Sequence, residues 1–243
     1  MQATTMETIS YSADGEVMIG LLALPNGLGP HPAVLVCHEG PGLSDHTRDV
    51  SKRLAGLGYV AFAMDYHGGG QTLSMNDARP RIVAWMGDPS GIRARAAAAL
   101  KVLTDRPEVD ANRVAAIGYC FGGTTALELA RSGADLKAVV GFHSGLSTAR
   151  PQDAVNIKGK VLTQIGTADP LIPAAQRVAF EAEMTAASVD WRMNLHGGVG
   201  HSFTNPDADT YKMPGIAYDA AADRRSWAAM IDLFGETIRV QQA

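Results

Sequence analysis

Two cysteines in 243 residues are too few for a disulfide framework. They point instead to a reducing, cytoplasmic setting in which a thiol stays free to react. The chain also lacks an excess of positive charge: 21 Lys and Arg against 25 Asp and Glu leave −4 with the histidines neutral. Nucleic acid and anionic membrane surfaces are therefore not expected partners, since both need a positive patch. No apolar run approaches the ~20 residues that span a bilayer. Met1–Ser10 carries no basic cluster followed by an apolar core, so no signal peptide is read there. There is no internal repeat, no low-complexity tract and no linker rich enough to divide the chain. What is present is an ordinary mixture, 46% hydrophobic and 19% charged. It reads as one domain over residues 1–243, able to bury roughly 70–75% of its unfolded surface without a disulfide or structural metal.

The pattern is strand–helix alternation from end to end. Glu7–Pro25 alternates around Ala13-Asp14-Gly15-Glu16, as an antiparallel hairpin does. Pro32–His38 and Tyr59–Asp65 are continuous apolar runs, the mark of strands covered on both faces. Further strands are expected over Arg113–Tyr119, Lys137–Phe142, Lys160–Ile165 and Trp191–Leu195. Helices are expected over Leu43–Leu57, Ser90–Thr104, Phe121–Arg131, Ala174–Ala187 and Ala217–Val240. The irregular, glycine-punctuated stretch Gly68–Pro89 reads as a flap. A hairpin followed by repeated β-α units predicts an α/β fold, with a mostly parallel central sheet and helices on both faces.

The sharpest local signal is Gly118-Tyr119-Cys120-Phe121-Gly122-Gly123, between a buried strand and a helix. It is the G-x-nucleophile-x-G elbow with cysteine in the serine position. A nucleophile lifted out on a tight strand-to-helix turn needs neighbours without β-carbons, which Gly118 and Gly122 provide. The helix beginning at Phe121 aims its free N–H groups and positive dipole end at Cys120, favouring thiolate over thiol. The Phe121 N–H is then one natural oxyanion donor. Taken alone, Cys120 could equally be a small buried hydrophobe in a tight turn. Cys37, at the end of the Val34–Val36 run, reads as a core residue.

A thiol in such an elbow needs a base and an orienting acid, in the chain order nucleophile, acid, histidine. His201 lies in a glycine-rich loop after a strand, from which an imidazole can reach across a cleft. His196 reads as a packing or capping residue, and His143 as a candidate for the pocket wall. Asp169, directly beyond a strand end in Gly166-Thr167-Ala168-Asp169-Pro170, is the best acid, although by itself it would pass for a turn residue. The three fall 49 and then 32 residues apart, each at the C-terminal end of a strand. Ligand sites of parallel sheets gather at that edge. His38-Glu39-Gly40-Pro41-Gly42 follows the first central strand, where Gly40 can offer a second oxyanion N–H. It is not a zinc-protease helix, since Gly42 stands four residues after His38. Nor is it a dinucleotide fingerprint, since Asp45 stands where the third glycine belongs. Glu39 beside a thiol could hold its proton or perturb its ionisation, or be structural.

Together these residues resemble the dienelactone hydrolase family of the α/β-hydrolase superfamily, over roughly Glu7–Val240. The resemblance rests on His38-Glu39-x-x-Gly42, on Tyr59–Tyr66 (YVAFAMDY), on the G-Y-C-F-G-G elbow, on Gly166–Pro170 and on H-S-F-T-N-P from His201. It implies an α/β-hydrolase fold and hydrolysis of a carboxylic ester or lactone through a thioester. Cys120 would be the nucleophile, Asp169 the acid and His201 the base. Glu39 would be the carboxylate that contacts the resting thiol, and Gly40 and Phe121 would form the oxyanion hole. No cofactor or metal is implied, and the expected partner is a small-molecule ester or lactone; a monomer or weak homodimer is expected. Family members that act on dienelactone grip its carboxylate with arginines. One such position, four residues after the histidine, is Asn205 here, and Arg79 and Arg81 are the candidates for the other. Three further readings stay open on the sequence: a broad carboxylesterase, a non-catalytic binding protein on the same fold, and a peroxide-reactive thiol protein.

Overall fold

A computed structural model describes residues 5–240. Eight strands form one sheet: β1 (Thr5–Ala13), β2 (Glu16–Leu24), β3 (His31–Cys37), β4 (Val60–Met64), β5 (Val109–Tyr119), β6 (Ala138–Phe142), β7 (Lys160–Gly166) and β8 (Trp191–His196), in the order β1-β2-β4-β3-β5-β6-β7-β8. The β1–β2 hairpin closes with Ala13 opposite Glu16, and its two turn residues take the positive φ that a tight hairpin requires, 51° at Asp14 and 74° at Gly15. β2 also runs antiparallel to β4, and every pair from β4 through β8 is parallel.

The unbroken apolar runs are explained by which face each residue serves. In β3, Ala33, Leu35 and Cys37 enter one core, while Val34 and Val36 enter the other. In β4, Val60, Phe62 and Met64 divide from Ala61 and Ala63 in the same way. Period-2 alternation between two dry faces leaves no polar position. Helices α1 (Asp45–Gly56) and α6 (Ala220–Thr237) cover one face, and α3 (Ser90–Thr104) and α4 (Phe121–Arg131) cover the other. α5 (Ala174–Ala186) follows β7 and places Phe180 and Met184 in the core on the α3–α4 side. α4 is pinned from behind by the wholly buried Arg131, whose guanidinium bonds Glu128, Glu183 and the Leu146 carbonyl. Among the described residues no helix is long and apolar enough to cross a membrane.

The stretch read as an irregular flap is more regular than its composition suggests. It contains α2 (Met75–Gly87), N-capped by the Ser74 hydroxyl, which accepts the Asp77 N–H. Pro80, which weighs against a helix in sequence, sits inside it and removes only one N–H donor. Ahead of α2, the Asp65 carboxylate accepts N–H bonds from Ile19, His67, Gly68 and Gly70. That turn needs positive φ at Gly68, Gly69 and Gly70 in succession (92°, 65° and 65°), which accounts for the triple glycine.

Candidate active site

The sheet's chain path leaves β3 toward β4 on one side and reaches β5 on the other, so the crevice above the β3–β5 pair is where a parallel sheet opens. Cys37 of β3 pairs in register with Gly118 of β5. The residues immediately beyond these two strand ends, His38-Glu39-Gly40 and Cys120, therefore face one another. β7 and β8 bring Asp169 and His201 to the same edge.

Cys120 is the N-cap of α4 at φ 53° and ψ −124°, a strained backbone for a residue with a β-carbon. Its N–H holds the turn by bonding the Phe142 carbonyl (3.0 Å) and His143 Nδ1 (3.2 Å). Close approach explains the three glycines. A β-carbon on Gly118 would overlap the Gly122 carbonyl, one on Gly122 the Cys37 and His38 carbonyl oxygens, and one on Gly123 the Ser144 hydroxyl. Cys120 is partly accessible, whereas Cys37 is buried against Met64, its Sγ 3.5 Å from the thioether sulfur, and burial pushes its thiol far up.

His201 and Asp169 meet, with His201 Nδ1 2.7 Å from Asp169 Oδ2. Because a carboxylate only accepts, the ring donates from Nδ1. The second carboxylate oxygen accepts the Leu171 N–H at 2.8 Å, so the acid is fixed from both sides. His201 Nε2 is enclosed and has no hydrogen-bond partner among the described residues; the Cys120 charge is the largest influence raising this ring. Burial opposes a charged imidazole here. The Cys120 charge and the hydrogen bond to Asp169 outweigh it and push His201 up to about 10.

The N–H groups of Gly40 and Phe121 donate to no acceptor among the described residues. Gly40 is overhung by α2: a β-carbon there would lie 3.1 Å from Ile82 Cδ1 and 3.6 Å from Met75 Sδ. Trp85 of α2 stacks on Phe121 with ring centroids 6.0 Å apart, so the wall over the elbow is apolar.

The remaining candidates fall elsewhere than expected. The Glu39 carboxylate, 6% exposed, accepts from Asn205 Nδ2 at 3.0 Å and lies 3.6 Å from His46 Nδ1; its hydrogen bond goes to Asn205 rather than to the Cys120 sulfur. Asn205 also donates to the Tyr211 hydroxyl at 3.1 Å. His143 is not a pocket wall. It is wholly buried behind the elbow, with Nδ1 on the Cys120 N–H and Nε2 donating to Thr204 Oγ1 at 2.8 Å. Burial and the nearby His201 charge hold it well below the ordinary histidine range, as its acceptor role requires. Arg81 donates from Nη1 to the His67 carbonyl at 2.8 Å, and Arg79 is exposed on α2. Both arginines are on the helix that presents Ile82 and Met75 to Gly40. Sequence reasoning missed Tyr66 and His67 as site residues, although they follow β4 at the same sheet edge and could have been found by that rule. It also missed Tyr211, which a short 3-10 turn (Ala208–Tyr211) delivers and no local signal marks. Among the described residues no group of three or more His, Cys, Asp or Glu side chains could hold a metal ion.

Comparison with known proteins agrees with this arrangement. The family model described as "Dienelactone hydrolase family" matches residues 18–238. A solved structure titled m3DLH is 45% identical with a TM-score of 0.94, covering 98% of this chain and 100% of that one. A dienelactone hydrolase-like promiscuous phosphotriesterase from metagenomic libraries is 42% identical with a TM-score of 0.93, over 98% and 100% of the two chains. Among curated proteins, a Bradyrhizobium chain named "Probable 2-oxo-3-(5-oxofuran-2-ylidene)propanoate lactonase" is 28% identical over 87% of this chain and 89% of its own length. An elbow cysteine at the switch point of a mostly parallel sheet, matched over nearly the whole chain, places this protein in the dienelactone hydrolase family.

Proposed function

We propose that this hydrolase cleaves uncharged carboxylic esters and lactones by acyl transfer through Cys120. The observation that carries the reading is geometric: His201 is held through Nδ1 by Asp169 at 2.7 Å at the sheet edge where Cys120 caps α4, and Cys120 and Asp169 together favour its charged form. An imidazole charged at neutral pH beside a cysteine is the resting form of a thiolate–imidazolium pair.

The steps follow from that pair. The Cys120 sulfur attacks the carbonyl carbon, a C–S bond forms, and the carbonyl electron pair moves to oxygen. The Phe121 and Gly40 N–H groups receive that oxyanion, each donor of this kind contributing roughly 3–4 kcal/mol. Collapse breaks the C–O bond, and His201 Nε2–H protonates the departing alkoxide, which stays tethered in a lactone. The neutral ring, still oriented by Asp169, then takes a proton from water as it attacks the thioester. Expulsion of the thiolate leaves the carboxylic acid product and restores the charged ring.

The substrate is read as uncharged because the positions expected to grip a carboxylate are engaged or turned elsewhere. Arg81 is bound to the His67 carbonyl, Arg79 is exposed on α2, and Asn205 is engaged with the buried Glu39. The wall over the elbow is made by Met75, Ile82 and Trp85. Uncharged phosphotriesters, the class named for the metagenomic relative, are the second electrophile such a wall admits.

The test is turnover of a p-nitrophenyl ester and a neutral lactone by wild type and Cys120→Ala, together with iodoacetamide labelling. Multiple turnovers, abolished in the variant, and labelling of Cys120 ahead of Cys37 are the expected results. Full activity in Cys120→Ala overturns the mechanism, and a single stoichiometric burst in the wild type would make the protein a binder.

A further inference from the structure

An oxyanion donor is only as good as the orientation of its peptide, and the Gly40 peptide is one the backbone alone does not fix. Gly40 has no side chain, and it is followed by Pro41 and by Gly42 at φ 135°. What fixes it is a cluster of neutral donors beneath it. The Glu39 carbonyl oxygen accepts from His38 Nδ1 at 2.6 Å, from the Tyr66 hydroxyl at 2.8 Å (a proton shared with the His38 carbonyl at 3.1 Å) and from the Gly42 N–H at 3.2 Å. The next carbonyl, that of Gly40, accepts from His67 Nε2 at 2.7 Å. Carbonyl oxygens carry no proton, so both rings and the phenol must be the donors. In a trans peptide the N–H of one residue points opposite to the C=O of the residue before it. Three donors drawing the Glu39 carbonyl inward therefore drive the Gly40 N–H outward, toward the crevice.

We propose that Tyr66 and His38, seconded by His67, are positioning residues for the Gly40 oxyanion donor. The inference rests on the acyl-transfer reading above and adds to it the groups that hold the hole open. The surroundings fit the task. Tyr66 is wholly buried at the end of β4, stacked on His38 with centroids 3.7 Å apart and set edge-on to Phe121 at 5.6 Å. One aromatic block thus connects the loop after β3 to the helix that carries the other oxyanion donor. His38 and His67 are buried as well, and burial holds both below the ordinary histidine range, His38 at about 3, so each donates without bringing a charge next to the nucleophile. Among the described residues the other nitrogens of the two rings, His38 Nε2 and His67 Nδ1, have no partner, so the bonds to the two carbonyls are the hydrogen bonds these side chains make there. Burying two imidazoles with half their polar atoms unpaired is costly, and positioning the loop is what that cost secures.

The experiment compares two reactions of the same sulfur. Acylation by a p-nitrophenyl ester develops an oxyanion, whereas alkylation by iodoacetamide is a displacement that develops none. Tyr66→Phe keeps the stacked ring and removes one donor. It should lower kcat about tenfold at unchanged KM, with the alkylation rate and the pH profile of alkylation unaltered. Adding His38→Leu should approach the 10²–10³-fold loss known for deleting an oxyanion donor (order of magnitude). His38→Gln, which restores an N–H donor, should recover part of it at equal thermal stability. An unchanged kcat in Tyr66→Phe overturns the proposal. So does an alkylation rate that falls in step with kcat, because the effect would then run through the sulfur. If Tyr66→Phe does not fold, the His38→Leu and His38→Gln pair decides by the same two rates. Wild-type turnover that does not need Cys120 would instead defeat the parent reading, and Cys120→Ala reports that separately.

Discussion

The protonation of His201 can be followed directly, and its size can be worked from its contacts. A rise from 6.5 to about 10 is worth about 5 kcal/mol of preference for the charged ring. At about pH 7.5 that leaves roughly 300 charged rings for each neutral one. The causes oppose each other. Burial is the largest and favours the neutral ring; the Cys120 charge and the hydrogen bond to Asp169 overcome it. Replacing Cys120 with alanine removes the first of the favourable pair while leaving the burial and Asp169 in place. The titration should therefore move down by several pH units, and the ring should be largely neutral at physiological pH. Nitrogen-15 NMR of the imidazole, recorded from about pH 5 to about pH 11 in wild type and Cys120→Ala, reads both states. Activity gives a parallel reading. Loss of the ring proton near pH 10 removes the acid for the departing alkoxide, so turnover should fall there while thiol alkylation continues. A wild-type ring that titrates near 6.5 refutes the resting ion pair. A Cys120→Ala ring that still titrates near 10 refutes the assignment of the sulfur as its cause.

Two further outcomes test the packing and the specificity. Gly122→Ala drives a β-carbon into the Cys37 and His38 carbonyl oxygens, and should cost about 1–3 kcal/mol or more in chemical denaturation. Gly235→Ala, in α6 with open space around it, should instead gain about 0.5–1 kcal/mol, so equal effects would refute the elbow argument. Asn205→Arg should raise kcat/KM for a lactone bearing a carboxylate far more than for its neutral methyl ester. An equal change for both substrates would show that position 205 does not read substrate charge.

The chain's order of strands and helices was legible because both faces of the sheet are buried, and the runs Pro32–His38 and Tyr59–Asp65 have no polar interruption to blur them. Cys120 was legible for a steric reason: glycine at 118 and 122 is required by overlap with backbone atoms, and overlap of that kind leaves a fixed spacing in sequence. Asp169 and His201 were legible only through the order of strand ends, since each alone passes for a turn residue. α2 was obscured by Pro80 and by a mostly exposed, polar surface that carries little periodic signal. The fate of His143, Arg81 and Glu39 was not legible at all. Each is decided by hydrogen bonds to residues outside its own element, Cys120 and Thr204 for His143, His67 for Arg81 and Asn205 for Glu39, with no helical or strand period connecting the partners.

The loop that carries His201 also links chemistry to specificity. Thr204 steadies His143, which in turn accepts the Cys120 N–H and so backs the elbow. Asn205, next along, uses both amide hydrogens, one on Glu39 and one on the Tyr211 hydroxyl, and its carbonyl oxygen accepts the Asp207 N–H. Its donors are spent, so asparagine here cannot also hold a substrate without releasing Glu39. A guanidinium has five N–H donors and could keep the carboxylate while reaching a second one. The residue at 205 thus decides whether Glu39 alone, or Glu39 and a substrate anion together, can be satisfied from this side of the crevice. That choice is made a few residues from the base but touches neither its bond to Asp169 nor the elbow, which is how substrate charge preference can change on this fold while the nucleophile and its partners stay fixed.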